Sequence, residues 1–312
     1  MSRSLRVVYR IALSVAACLR ASTRVDVAWI VETDGLEGRD PSDALAITPG
    51  GGRIGVLASG ALDSQLSDVA GRGGARGRLV DLQVSDADAL LAGLAHPCKA
   101  RCLVVPAASL PSELWERLIA RDAVCLVIRI VGDEVLDTSM FDAGTISMAG
   151  EPAAELFAGR TSAVAFADEA VVTVLWAVPQ LLVVGGGAIG DALGKAAGLL
   201  GWQTQIVNDA ATATGVIAGL AASDNLVVAA HDIDVAGPAL AAALDSDVGY
   251  IGALGARRMQ EARADWLAYR DITDLSRIHG PAGLDIGADT PAEIALSILA
   301  EAVAVRSASG PQ

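Results

Sequence analysis

Gly185, Gly187 and Gly190 stand in the spacing G-x-G-x-x-G directly after the apolar run Leu181–Val184, and a helical stretch follows them. In a strand–turn–helix unit each glycine has its own work. The first makes the tight turn, the second admits a pyrophosphate to the backbone, and the third lets helix lie close on strand. The helix start then faces the phosphates with N–H groups that have no partner inside the helix. A second strand-like run, Thr204–Val207, ends beside Asp209, 19 residues after Gly190, where a carboxylate would meet a ribose hydroxyl. The order strand, glycines, helix, strand and acid is that of a dinucleotide-binding unit.

Further candidates fall at later strand ends, where ligands of open α/β sheets sit. His231-Asp232 follows the run Leu226–Ala230, either as a polar pair facing the ligand or as a helix-capping Asp beside a surface His. Tyr250-Ile251-Gly252 ends a fourth strand, Val248–Ile251, and glycine there permits close backbone approach. Arg257 at the next helix start can pair with an anion, and Arg258 reads as solvent-facing. Gly283, Asp285 and Gly287 precede the last helix in a loop that can line the same crevice. Thr290-Pro291-Ala292-Glu293 is a capping box with proline at the first helical position, so Glu293 has a structural task. Ile294, Ile298, Leu299 and Ala302 give that helix one apolar face.

Other chemistries find no support. Gly194-Lys195 lacks the residues around it that a phosphate-binding P-loop needs. The three histidines, His96, His231 and His279, have no i, i+4 pairing, and His96, Cys98 and Cys102 match no standard zinc spacing. Cys125 sits in an apolar run and reads as core. No metal site is expected.

The elements that must position these residues come in two groups. After Pro179, strand-like runs alternate with helical ones, including Gly237–Leu244 and Arg257–Tyr269, which implies a doubly wound parallel sheet. Before it the pattern is mixed. A helix leads into the strand Val25–Val31, followed by a polar loop at Glu32–Pro41. A hairpin is expected at Ala44–Thr48 and Arg53–Leu57, and a helix at Ala61–Ala70. Strands at Ala100–Val105 and Val124–Ile130 flank a helix at Pro111–Arg121. The expected fold is α/β, with an N-terminal mixed α/β domain over residues 1–178 and a Rossmann-like domain over 179–312.

Composition sets the bounds. The 312 residues suffice for two domains, and 53% are hydrophobic, ample for two cores. The formal charge of −14 argues against nucleic acid. Lys99 and Lys195 are the only lysines, so arginine carries nearly all positive charge. Four cysteines make no disulfide framework in a chain this long, which fits a reducing cytoplasm. Arg3, Arg6 and Arg10 before the short apolar run ending at Cys18 read as an amphipathic helix rather than a leader, and no run approaches the length of a membrane span.

From the fingerprint onward the chain resembles the C-terminal Rossmann domain of the XdhC/CoxI family, accessory proteins of molybdenum hydroxylases. The matching residues are VVGGGAIG, LGW at Leu200–Trp202, His231-Asp232, YIGALGARR, and PAGLDIGADTPAEIALSILAE. The likeness is strong over Pro179–Glu301 and weaker before it. Relatives commonly carry Gly-Gly-Cys near Ser59-Gly60-Ala61 and Cys-Gly-Gly at His96-Pro97-Cys98, so cysteine chemistry in this chain has been lost or moved to Cys98 or Cys102. The usual LGSR reads LGAR here, with Ala256 in place of the serine, and no arginine follows Asp209 closely. The resemblance implies a cytoplasmic homodimer that binds molybdenum cofactor, as molybdopterin or its cytosine dinucleotide. It further implies support of the cofactor's sulfuration, with a cysteine desulfurase as a further partner, and insertion into an apo molybdenum hydroxylase. A carrier of this kind has no turnover of its own. The fingerprint alone leaves two other readings open. One is an NAD(P)-dependent oxidoreductase using His231 as proton donor, and the other is an NAD-responsive regulatory protein.

Overall fold

The computed structural model describes residues 4–36, 40–72, 74, 76–167 and 169–308, with backbone alone at 4–10 and 307–308. Arg3 and positions 37–39 of the expected polar loop lie outside the described residues. The chain divides between Ala177 and Val178 into two compact units.

The first unit begins with α1 (Ser4–Arg20), β1 (Asp26–Asp34), β2 (Ala44–Ile47), β3 (Arg53–Gly55), α2 (Asp63–Gly71), β4 (Arg78–Val84) and α3 (Asp86–Ala92). It continues with β5 (Cys98–Pro106), α4 (Leu114–Ile119), β6 (Val124–Val131), β7 (Glu134–Phe141), α5 (Ala153–Ala158), β8 (Ala163–Ala167) and β9 (Ala170–Leu175). Its strands form one sheet in the order β3-β2-β1-β5-β4-β7-β6-β9-β8, and every neighbouring pair is antiparallel. β1 is a continuous apolar run because both of its faces are covered. Val27, Trp29 and Val31 pack with Ile11, Ala12 and Val15 of α1, while Ala28 and Ile30 face Leu57, Leu62 and Leu66.

β1 runs to Asp34, three residues beyond the expected strand end. An irregularity between Ile30 and Glu32 shifts the register, so that Glu32, Thr33 and Asp34 pair with Arg101, Ala100 and Lys99 of β5. Polar residues extend the strand there because the ladder supplies their backbone partners. β4 and α3 carried no expectation. Their signal is short, and the clearest part of it is Ser85, whose side chain caps α3 by accepting from the Asp88 N–H.

The second unit contains β10 (Gln180–Val184), α6 (Ala188–Leu199), β11 (Gln203–Val207), α7 (Ala210–Ile217), β12 (Asn225–Val228) and α8 (Ile233–Leu244). β13 (Tyr250–Ala253), α9 (Arg257–Ala268), β14 (Ile278–His279) and α10 (Pro291–Ala308) complete it. The sheet is parallel throughout, in the order β11-β10-β12-β13-β14. Alternate strand residues supply two cores, as a period-two ladder requires. Leu182, Val184, Leu226 and Val228 pack with α7 and α8, whereas Leu181, Val183 and Val227 pack with α6 and α10. Helices on both faces make the sheet doubly wound.

β12 ends at Val228, two residues short of the expected Ala230, and β13 starts at Tyr250, two residues after the expected Val248. Gly249 donates its N–H to the Asp224 carbonyl and lies so close to the Ala222 carbonyl that a Cβ would collide with it. The ladder therefore starts at Tyr250, and Gly252 falls inside β13 rather than at its end. No helix among the described residues is long and apolar enough to cross a membrane.

Candidate nucleotide-binding crevice

The strand order reverses direction between β10 and β12, and the carboxyl ends of such a pair are where a crevice opens. The turn after β10 is Gly185–Gly187, and the segment after β12 is Ala229–Asp232. The two are in contact. The Ala229 and Ala230 N–H groups both donate to the Val184 carbonyl, at 2.8 and 2.9 Å. Gly185 donates in turn to the Val207 carbonyl at 2.8 Å, so the ends of β11, β10 and β12 are laced together.

The three glycines of the fingerprint meet three different surroundings. Gly185 has φ +103°, and a Cβ there would stand 2.5 Å from the Ala230 nitrogen. Gly187 also has a positive φ, +92°, but a Cβ would meet no atom within 4 Å. Gly190 is buried in α6, where a Cβ would touch the Gly185 carbonyl at 3.4 Å and Val183 at 3.7 Å. The first glycine is thus demanded by the protein's own backbone, whereas a Cβ at the third would make only ordinary van der Waals contact with the turn and the strand. Gly187, at the N-terminal end of α6, borders open space, and the helix start there carries about half a positive elementary charge. A helix start of this kind is able to hold a phosphate oxygen.

His231 and Asp232 are both exposed at the crevice mouth. Asp232 caps α8, its Oδ1 accepting from the Asp234 N–H at 2.9 Å. Asp209, at the end of β11, caps α7 in the same way, with Oδ1 accepting from the Thr212 N–H at 2.8 Å. That bond holds its carboxyl below the usual aspartate range. Each of the two aspartates already has a structural task. Asn208 also belongs to this rim, since a Cβ on Gly186 would lie 3.1 Å from its Oδ1.

The other three candidates each have a partner of their own. Arg257 is 92% exposed and pairs with Glu261 one helical turn on, at 3.1 Å, so it faces solvent along α9. Gly252 is filled over by its own neighbour, because a Cβ would lie 2.8 Å from the Tyr250 ring and hydroxyl. Gly283 has φ +106° and is pressed against Ser297 of α10. Its N–H donates to Glu301 Oε2 at 2.8 Å. Glu301 also accepts from the Tyr250 hydroxyl at 2.6 Å and faces His279 Nδ1 at 3.4 Å. Burial and this carboxylate push the Tyr250 phenol upward. Gly252 and Gly283 therefore serve the fastening of α10 to β13 and β14. The capping box expected at Thr290 is present, with the Thr290 N–H donating to Glu293 Oε2 at 2.8 Å.

Sequence reasoning missed Arg263 and Gln260 of α9. Arg263 is 2% exposed; its Nη1 donates to the Leu254 carbonyl and its Nη2 to the Ala230 carbonyl, the latter at 2.8 Å. Gln260 Nε2 donates to the Ala253 and Gly255 carbonyls at 2.8 and 3.0 Å. The two side chains tie the segment after β12 to the segment after β13. The available signal was spacing. Residues 260 and 263 lie three apart on one helix face, and side chains there lean back toward the helix start and the sheet edge.

Residues 181–302 match the family model described as the XdhC Rossmann domain. The match lies wholly within the second unit, which is similar to the XdhC Rossmann domain. A curated relative, the Escherichia coli K12 protein YqeB, is 27% identical over 151 residues, which cover 41% of this chain and 28% of the relative. The chain thus spans less than a third of that relative's length. Among solved structures, a xanthine dehydrogenase from Bacillus halodurans shares 18% identity, with 96% of each chain covered and a TM-score of 0.44.

Proposed function

We propose that the chain is an XdhC-type accessory protein that carries molybdenum cofactor as cargo and delivers it to an apo molybdenum hydroxylase. The carrying observation is the turn Gly185–Gly187 within a domain similar to the XdhC Rossmann domain, where Gly187 opens onto space beside the α6 N-terminus at the strand-order reversal. That cradle fits the phosphate or pyrophosphate of the pterin cofactor. Gly187 leaves room for the phosphate oxygens, and the first N–H groups of α6 donate to them. The four cysteines all lie before Ala177, outside this domain, so the crevice as described holds the phosphate end of the cargo.

The test is anaerobic incubation of the pure protein with molybdenum cofactor, then gel filtration with molybdenum and pterin quantified in the protein peak. Near-stoichiometric retention that NAD competes for poorly is the expected result. Binding of NAD with no retained molybdenum would overturn the carrier reading and favour a nucleotide-responsive or hydride-transferring protein.

A further inference from the structure

We infer that Arg263 is the residue that selects an anionic anchor in the crevice between β10 and β12, making a phosphate-bearing ligand bind in preference to an uncharged nucleoside. This inference rests on reading that crevice as the ligand site.

Three observations carry it. First, Arg263 is a buried cation without a counter-charge. It is 2% exposed, and its partners are the carbonyls of Ala230 and Leu254 and the Gln260 side-chain oxygen. Among the described residues no carboxylate forms an ion pair with it. A guanidinium held this way is costly unless something supplies negative charge, and carbonyl dipoles supply only part of it.

Second, the charge is bonded to a residue that packs on the fingerprint. Ala230 is the shared neighbour: its carbonyl accepts from Arg263, and its nitrogen is the atom that crowds Gly185. Arg263 projects from the second turn of α9 back toward the carboxyl edge of the sheet, and its head reaches the carbonyls of Ala230 and Leu254 there.

Third, the rim itself does not favour an anion. Asp209, Asp232 and Asp234 surround the mouth, and Arg257 is spent on Glu261. An arginine with a purely structural role would be satisfied by carbonyls anywhere. One bonded to the edge of an acid-rimmed crevice offsets the rim's repulsion through low-dielectric protein, where a unit charge acts over a longer range than in water.

The experiment compares wild type, Arg263→Gln and Arg263→Lys by calorimetric titration with inorganic pyrophosphate, NAD and adenosine, after circular dichroism has established which variants fold. Arg263→Gln should weaken pyrophosphate and NAD by about tenfold or more while leaving adenosine within about twofold. Arg263→Lys keeps the charge but not the two-carbonyl fork, so its pyrophosphate-to-adenosine preference should stay close to that of wild type. Equal losses for all three probes in Arg263→Gln would overturn the inference and leave Arg263 a scaffold residue. Should Arg263→Gln fail to fold, Arg263→Lys is titrated across pH: its preference for pyrophosphate over adenosine should fall as pH rises and the buried ammonium loses its proton, while that of wild type holds, and a preference equally insensitive to pH in both proteins would overturn the inference. Wild type that binds NAD and adenosine equally well but ignores pyrophosphate would overturn the inference alone. Wild type that binds none of the probes would overturn the crevice reading with it.

Discussion

Two left-handed turns, one in each domain, are built on opposite principles. After β10 the positive φ values fall on glycines, +103° at Gly185 and +92° at Gly187. Between β3 and α2 they fall on Ala58, Ser59 and Gly60, at +48°, +55° and +94°. Glycine takes that conformation freely, whereas alanine and serine are strained in it by about 1–2 kcal/mol each. The second turn is held by its bonds, with Gly60 N–H to the Leu57 carbonyl at 2.9 Å and Leu57 N–H to Asp63 Oδ1 at 3.3 Å, and by Leu57 and Leu62 in the core. The contrast shows which kind of turn a sequence announces. A turn made of glycines is written in residue type, while one imposed by packing is not.

Within the first turn the same contrast separates fold from ligand, and substitutions can break it. The largest effect is expected at Gly185. An added methyl would drive into the backbone of Ala230 at a residue with φ +103°, so Gly185→Ala should cost about 3–5 kcal/mol in the unfolding of this domain by urea. Gly187→Ala adds a methyl into open space and carries only the conformational cost of a backbone region that glycine alone occupies readily, about 1–3 kcal/mol. It should nevertheless remove most cofactor retention, because the methyl occupies the phosphate's place. If the two variants lose stability equally, the division of labour between the glycines is wrong.

The first domain should respond in the reverse direction. Ser59→Gly relieves a strained left-handed residue and should stabilise that domain by up to about 1 kcal/mol, seen as a raised thermal midpoint. A lowered midpoint would mean that Ser59 makes contacts worth more than its strain.

The smallest effect is pH-dependent. Burial first, and the neighbouring Asp40 second, push Asp43 up to about 6 from 3.8. A carboxyl raised on folding contributes stability that is full below pH 3.8 and is lost as pH rises through about 6. Asp43→Asn should therefore gain about 1 kcal/mol over wild type at pH 8, allowing for partial solvent screening, and nothing at pH 3.5. Equal midpoints at both pH values would remove Asp43 as the source of the difference.

The legibility of the remainder follows the same physics. The parallel sheet could be read because its central strands β10, β12 and β13 are buried and the turn after β10 is glycine-rich; the Thr290–Glu293 box could be read because it needs only local residues. β4, β7, β8 and β9 could not: β4 and β7 carry polar residues held by ladder bonds rather than by pattern, and β8 and β9 are short apolar runs with no glycine or proline at the turn between them. At the crevice, Gly185, Gly187 and Gly190 were legible by spacing. Gly252 and Gly283 were also legible as glycines, but their reason is a neighbour that sequence cannot supply: the Tyr250 ring in one case and α10 in the other. Arg257 stood out by its place at a helix start, yet a glutamate four residues on takes it. Arg263 gave no sign, because a buried charge inside a polar helix looks like any solvated one until the carbonyls it meets are known.

The central claim is that the crevice grips its ligand by phosphate at Gly187. Its most direct measurement is an anaerobic titration of molybdopterin cytosine dinucleotide into wild type and Gly187→Ala, both verified as folded. Saturable one-to-one binding by wild type, weakened at least about a hundredfold in Gly187→Ala, is what the account predicts. Equal affinity for the two proteins would contradict it and place the ligand elsewhere on the chain.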